Sequence, residues 1–158
     1  MVTVSLVARL PVQQLDPELP LPARPHETDV AVDLYARLDM TLSAVTGSRA
    51  IPTGIAVAVP EGHVGLVCSR SGLAASQGLF VLNAPGLIDP GYTGEIIVIM
   101  ASVQERAQRV RRGMRIAQLL IQPATPFVVE LVEHLPASQR GLRGLGSSGL
   151  RSFDIDPG

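Results

Sequence analysis

The residues best equipped for chemistry in this 158-residue chain fall into four short stretches. The first is Ser69-Arg70-Ser71-Gly72-Leu73-Ala74, at the end of an apolar alternating run. Arginine offers phosphate a planar fork, glycine admits close approach to the backbone, and free N–H groups at a helix start favour an anion. The same residues equally make an ordinary strand-to-helix turn with a solvated arginine. The second stretch, Asn83 to Glu95, reads as a β-hairpin with a tight turn at Pro90-Gly91. Asn83 both donates and accepts and so can read a base edge. Asp89 can act as a general base on water, and Tyr92 offers a flat surface for a sugar. A plain hairpin, with Asp89 favouring the turn and Tyr92 covering the core, fits the same residues. In the third stretch, Arg111-Arg112-Gly113-Met114-Arg115 leads into the apolar run Ile116-Ala117-Gln118-Leu119-Leu120. A solvated basic turn is its plainer reading. The fourth, Arg140 to Gly149, holds a literal GxGxxG at Gly144, Gly146 and Gly149. No strand precedes it and too little chain follows for a βαβ unit, so a dinucleotide fold is excluded. A loop rich in N–H groups, hydroxyls and arginine can still wrap a polyphosphate, and a disordered tail fits equally well.

Composition narrows the chemistry. All 13 basic residues are arginine, which excludes a Walker-A lysine, a Schiff base and a lysine general base. One cysteine, Cys68, excludes a disulfide framework and a multi-cysteine zinc site, and fits a reducing cytoplasm. His26, His63 and His134 are far apart and lack metal-ligand spacing. No Ser/His/Asp constellation is evident, so covalent catalysis is not favoured. The net charge of −1 leaves no global footprint for nucleic acid. Five arginines lie between Arg106 and Arg115, but no aromatics are interleaved with them. No secretory leader and no membrane span is expected, and the chain is placed in the cytoplasm.

The elements that must position these residues are strands. Thirteen prolines and fifteen glycines are scattered along the chain and break any long helical period. Period-2 runs at Val2–Ala8, Val30–Tyr35, Ile51–Val59 and Val64–Cys68 are separated by turn signals. Glu95–Met100 is almost continuously apolar, as in a strand buried on both faces; Arg115–Ile121 and Phe127–Val132 complete the set. Only Ser71–Gln77 suits a short helix. Pro-rich residues 11–27 read as a connecting loop. The expectation is an all-β sandwich or barrel over residues 1–135, with a glycine-rich, mobile C-terminal arm over 136–158.

Taken in order, five segments carry a resemblance. They are Val32-Asp33-Leu34, Arg70-Ser71-Gly72-Leu73-Ala74, Asn83 to Glu95, Arg112-Gly113-Met114-Arg115-Ile116-Ala117-Gln118-Leu119, and the glycine-rich tail. Together, from about Leu6 to Gly149, they resemble the five ordered motifs of the trimeric dUTPase family. The resemblance implies a jelly-roll-like β-barrel subunit and a homotrimer with shared active sites. It implies Mg²⁺-dependent hydrolysis of dUTP to dUMP and pyrophosphate, which limits dUTP and supplies dUMP for dTMP synthesis. Asp89 would then activate the water that attacks the α-phosphorus. Asn83, with the backbone of Leu87, Ile88 and Ile97, would read uracil, and Tyr92 would lie beneath deoxyribose. Arg70, Ser71, Gly72 and Gln118 would hold the phosphates. Arg140, Leu145, Gly146, Ser147 and Ser148 would close over the nucleotide from another subunit. Asp33 would sit near the water shell of the metal or support the site. The Mg²⁺ would ride on substrate phosphates and water, with no protein ligand assigned. Neither a nucleic acid nor a membrane is expected as a partner.

The chain departs from the family pattern at four places. Val30-Ala31 stands where Ala-Gly is usual, Ser69 where proline is, Met114 where aspartate is, and Leu145 where an aromatic or histidine is frequent. Met114 is expected to loosen its turn, and Leu145 to give up ring stacking on the base, about 1 kcal/mol. Two competing readings remain. One is a dCTP deaminase-like enzyme, which would need a catalytic glutamate and no glycine-rich arm. The other is a non-catalytic nucleotide-binding regulator, against which Asp89, Tyr92 and Arg70 speak.

Overall fold

The computed structural model describes residues 9–139 and 141–142. Eleven elements follow in chain order: β1 (Val12–Gln14), β2 (Val32–Tyr35), β3 (Met40–Leu42), β4 (Arg49–Val57), β5 (His63–Cys68), α1 (Ser71–Gln77), β6 (Leu79–Val81), β7 (Gly86–Ile88), β8 (Glu95–Ser102), β9 (Gln108–Val110) and β10 (Arg115–Pro123). One antiparallel sheet has the order β1-β4-β8-β6 and a second the order β2-β10-β5-β7, with β3 and β9 as a separate pair. Side chains from both four-stranded sheets fill one core. Leu34, Ile116 and Leu119 come from one sheet, and Ile51, Leu79, Ile96, Val98 and Met100 from the other. The fold is all-β, as the alternating runs predict, and jelly-roll-like, as the resemblance implies. The helix also falls where expected. It ends at Gly78, whose φ of 64° lets its N–H reach the Ala74 carbonyl at 3.0 Å.

Four expectations change. Asn83–Glu95 is not a paired hairpin: β7 pairs with β5, whereas β8 pairs with β4 and β6. The segment is a corner that carries the chain from one sheet to the other, turned by a hydrogen bond from Tyr92 N–H to the Asp89 carbonyl. The Pro-rich loop at 11–27 contains strand β1, which pairs with the C-terminal half of β4. β8 is buried on one face only, with Ile97 and Ile99 about two-fifths exposed (43% and 37%) on the other. Phe127–Val132 forms no strand and exposes its apolar side chains, Phe127 at 85% and Leu131 at 99%. The described residues divide into a compact unit ending at Pro126 and a second unit beginning at Phe127. The run at Val2–Ala8 lies outside the described residues. No described helix is long and apolar enough to cross a membrane.

Candidate active site

The sheet β2-β10-β5 brings together by register the residues expected to hold phosphate. Gln118 on β10 lies opposite Asp33 on β2 and opposite Cys68 on β5, so all three share one row. Directly beyond Cys68 the chain leaves β5 as Ser69-Arg70 and enters α1. Gln118 donates from Nε2 to the Ser69 carbonyl at 3.0 Å, which ties the row to that exit. The buried Asp33 holds two arginines: Oδ1 lies 2.9 Å from Arg70 Nε, and Oδ2 lies 3.3 Å from Arg115 Nη1. Arg70 also donates from Nη1 to the Arg115 carbonyl at 3.0 Å. The guanidinium is thus fixed by its Nε edge and one amino group before any ligand arrives. α1 begins without a side-chain cap, and a Cβ on Gly72 would meet only open space. No contact within the described chain demands glycine at position 72, and the backbone there is open to close approach. Asp33, Arg70, Ser71, Gly72 and Gln118 line a pocket of about 300 Å³ together with Asp29 and Val30.

Asp29 carries no site role in the sequence reading, and Val30 and Arg115 appear there only as parts of motifs. The one signal for Asp29 is its place four residues before Asp33, just ahead of the alternating run. Val30 marks a departure from the family pattern, and it lies at this pocket. The other departures have local accounts. Ser69 accepts at Oγ from Val81 N–H at 2.9 Å, a bond no proline could make. The turn at Met114 is not loose. Met114 N–H donates to the Arg111 carbonyl, and Ala36 donates to the Met114 carbonyl and accepts from Gly113 N–H, both at 2.8 Å. The Met114 side chain packs against the core.

The residues expected to read the base and the sugar gather elsewhere. Asn83 is exposed, and its amide lies over Gly86, where a Cβ would come within 3.2 Å of Nδ2. Leu87 is exposed on β7 opposite Leu66, Ile88 lies opposite Gly65, and Ile97 lies on β8 opposite Pro52. Asp89 follows β7 directly and points a carboxylate without an ion pair or hydrogen bond among the described residues. Tyr92 is 44% exposed and donates from its hydroxyl to the Glu95 carbonyl at 2.8 Å. The register of β5 against β7 sets Asp89 beyond Gly65, whereas Arg70 leaves the opposite end of β5. Six positions along the chain, from Val64 to Arg70, separate the two, roughly 20 Å of extended backbone. A single chain therefore brings Asp33, Arg70, Ser71, Gly72 and Gln118 together but keeps them apart from Asp89 and Tyr92. Arg140, Leu145, Gly146, Ser147 and Ser148 lie outside the described residues.

A second ion network lies outside the expected site. Arg112 forks onto the largely covered Asp16, with Nη2–Oδ1 at 2.9 Å, and reaches Glu18 at 2.9 Å. Arg112 is thus not the solvated turn residue of the plainer reading. Arg37 bridges Asp16 and Glu95 at 3.3 and 3.2 Å. The hydrogen bonds from Arg112 hold the Asp16 carboxyl down at about 2, below its ordinary 3.8, and raise Arg112 itself. Asp39 is lowered too, first by the Arg112 backbone N–H and then by Arg109. Among the described residues no group of three or more His, Cys, Asp or Glu is placed to hold a metal ion.

The family model for dUTPase matches residues 17–149. A deoxyuridine 5'-triphosphate nucleotidohydrolase of Dictyoglomus turgidum is 46% identical over 145 residues, covering 90% of this chain and 99% of its own. Among solved structures, the dUTPase of Staphylococcus bacteriophage 80alpha with dUPNHPP superposes with a TM-score of 0.80 at 30% identity, over 91% of this chain and all of its own. A point-mutant dUTPase from phage phi11 of S. aureus, which coordinates a structural Mg(II) ion, superposes with a TM-score of 0.71 at 25% identity, over 80% of this chain and 98% of its own. With a family model matched over most of its length and relatives at this level of identity, the chain belongs to the dUTPase family.

Proposed function

We propose that the protein is a dUTP diphosphatase that hydrolyses dUTP to dUMP and pyrophosphate in the cytoplasm, limiting dUTP and supplying dUMP for dTMP synthesis. The observation that carries this reading is the pocket in which Asp33 pre-sets Arg70 beside Ser71, Gly72 and Gln118. In a lysine-free chain the cationic side chains open to a triphosphate are arginines, and a guanidinium already fixed on one edge loses little freedom when the other edge takes phosphate. Asp89 takes a proton from water as the water oxygen bonds to the α-phosphorus. The bond from that phosphorus to the bridging oxygen breaks, and pyrophosphate leaves with the electron pair. Asn83 pairs with uracil together with the backbone of Leu87, Ile88 and Ile97. Tyr92 lies beneath deoxyribose, and its ring leaves no room for a ribose 2′-hydroxyl. Arg140, Leu145, Gly146, Ser147 and Ser148, in an arm spanning 136–158 beyond the barrel of 1–135, close over the bound nucleotide.

The pocket suits Mg²⁺. Asp29 and Asp33 bring hard carboxylate oxygens to it, but Asp33 is committed to Arg70 and Arg115. The carboxylates therefore suit the water shell of an ion whose direct ligands would come from the substrate phosphates. When bound, the ion neutralises charge on the triphosphate.

The separation of Arg70 from Asp89 along β5 supports a homotrimer with shared sites, in which one subunit supplies the phosphate pocket and another the Asp89–Tyr92 turn. The exposed Ile97, Ile99 and Leu82, and the apolar residues from Phe127 to Leu135, give such an assembly surface to bury. The deciding experiment is pyrophosphate release with Mg²⁺ from dUTP, dCTP, dTTP and UTP in parallel. Rapid release from dUTP alone is expected. Nucleotide binding without release from any of the four would leave the non-catalytic regulator, and deamination of dCTP would leave the deaminase.

A further inference from the structure

β4 is interrupted where β8 begins. Its register against β8 shifts between Pro52 and Ala56, and Gly54 sits in the gap with φ of 74°. An N–H in such a gap has lost its ladder partner and must find another. At Gly54 that partner is a side chain: Glu95 Oε1 accepts from Gly54 N–H at 2.7 Å. Arg37 Nη1 lies 3.3 and 3.2 Å from the two oxygens of the same carboxylate. Arg37 is itself held by Asp16 through Nε, and its backbone N–H donates to the Pro52 carbonyl at 2.8 Å. The Gly54 carbonyl accepts from Leu15 and Asp16 N–H. A Cβ on Gly54 would come within 2.9 Å of Asp16 Cβ, so the approach requires glycine.

Glu95 is also the residue whose backbone carbonyl receives the Tyr92 hydroxyl. The Tyr92 ring folds across Gly94, where a Cβ would lie 2.7 Å from the hydroxyl oxygen. A chain of fixed contacts therefore runs from Arg37 and the Gly54 amide, through the Glu95 carboxylate and carbonyl, to the phenol of Tyr92. We propose that Glu95, clamped by Arg37 and Gly54, is a positioning residue that sets the orientation of the Tyr92 ring and through it the preference for deoxyribose over ribose. This rests on the reading of Tyr92 as the surface beneath the sugar. A charge-assisted contact at one end of a short rigid segment holds a ring better than a lone phenol–carbonyl bond at a solvent-exposed turn. Glu95 touches no substrate in this scheme and acts only through Tyr92.

The chain has two tyrosines and no tryptophan, so the ring can be observed directly. Full-length protein with Tyr35→Phe, labelled with 3-fluorotyrosine, gives one fluorine resonance from Tyr92. Glu95→Gln and Arg37→Met are compared with Arg37→Lys, which keeps one charge on the carboxylate. Expected are a shifted or broadened resonance without nucleotide, and a fall of about three- to tenfold in the dUTP-over-UTP ratio of kcat/KM, as for loss of one net hydrogen bond. Partial recovery of both is expected with Arg37→Lys. General loosening of the fold would lower kcat/KM for both nucleotides in proportion and leave their ratio unmoved, which overturns the proposal. An unmoved Tyr92 resonance in Glu95→Gln, the nearly isosteric variant, overturns it as well. If the resonance moves and the ratio does not, the link to sugar selection fails. Tyr92→Ala then separates the causes: an unchanged ratio in that variant shows that Tyr92 itself does not read the sugar, whereas a lowered ratio confines the failure to the clamp.

Discussion

At the scale of single residues, the chemistry is divided between a group left free and a group tied down. Asp89 carries a carboxylate with no partner among the described residues, which suits a base that must reach water. Replacing it by asparagine should lower kcat by about 10²–10⁴-fold with nucleotide affinity largely kept, the usual contribution of a general base. Pyrophosphate release beside equilibrium binding of a non-hydrolysable dUTP analogue separates the two quantities. Asp33 has the opposite task, since it fixes Arg70 by its Nε edge and also pairs with Arg115. Asp33→Asn should therefore raise KM for dUTP more than it lowers kcat, by roughly tenfold for the loss of one charge-assisted contact to a buried group. A variant with KM unchanged would mean that Arg70 finds its place unaided. At Leu145 the sequence argument stands alone: Leu145→Phe should tighten dUTP binding several-fold, by about 1 kcal/mol if the ring stacks on the base. Unchanged kinetics would count against a stacking position there.

At the scale of elements, what the chain announces is local and what it conceals is long-range. Alternation along Ile51–Val59 and Val64–Cys68 fixes β4 and β5, and the glycine after Gln77 marks the end of α1. The motif residues Asp33, Arg70 and Gln118 are legible from their order in the chain, and the sheet register explains why they meet. Pairing partners are less legible. Gly-Leu-Ile and Glu-Ile-Ile on either side of a Pro-Gly turn look like the two arms of a hairpin, yet they join different sheets because each finds a longer neighbour. Asp16 and Arg112 stand 96 residues apart, and no pattern in either neighbourhood points to the other. Their pairing has a measurable consequence in acid. The Arg112 hydrogen bonds lower Asp16 to about 2 from 3.8, so the folded state binds its proton less readily than the unfolded chain. The stabilisation is full above about pH 4 and is lost as pH falls through about 2. Asp16→Asn should thus lower the thermal midpoint at neutral pH and flatten its decline between about pH 4 and 2. A decline as steep as that of the unaltered protein would place the acid sensitivity elsewhere.

At the scale of the whole molecule, the length of β5 decides how a site can be built. Arg70 and Asp89 are separated by roughly 20 Å of strand within one chain, too far for both to reach one α-phosphorus. Mixing the inactive variants Asp89→Asn and Arg70→Ala, after dissociation and reassembly, should restore activity at about a quarter of sites if subunits combine at random in a closed ring. No recovery in mixtures shown by mass to contain both variants would place each complete site within one subunit. The apolar residues left outside the core by the chain alone, Ile97, Ile99 and the run from Phe127, belong to the same scale. They made β8 look buried on both faces in the sequence, because composition records how much surface must be covered but not which molecule covers it.

In the proposed homotrimer, division of the site along β5 would also make catalysis a property of population rather than of molecules. Turnover per chain should hold steady at high concentration and fall on dilution toward the dissociation constant of the assembly. Nucleotide that spans two subunits would then slow that fall, so substrate would protect its own catalyst from dispersal.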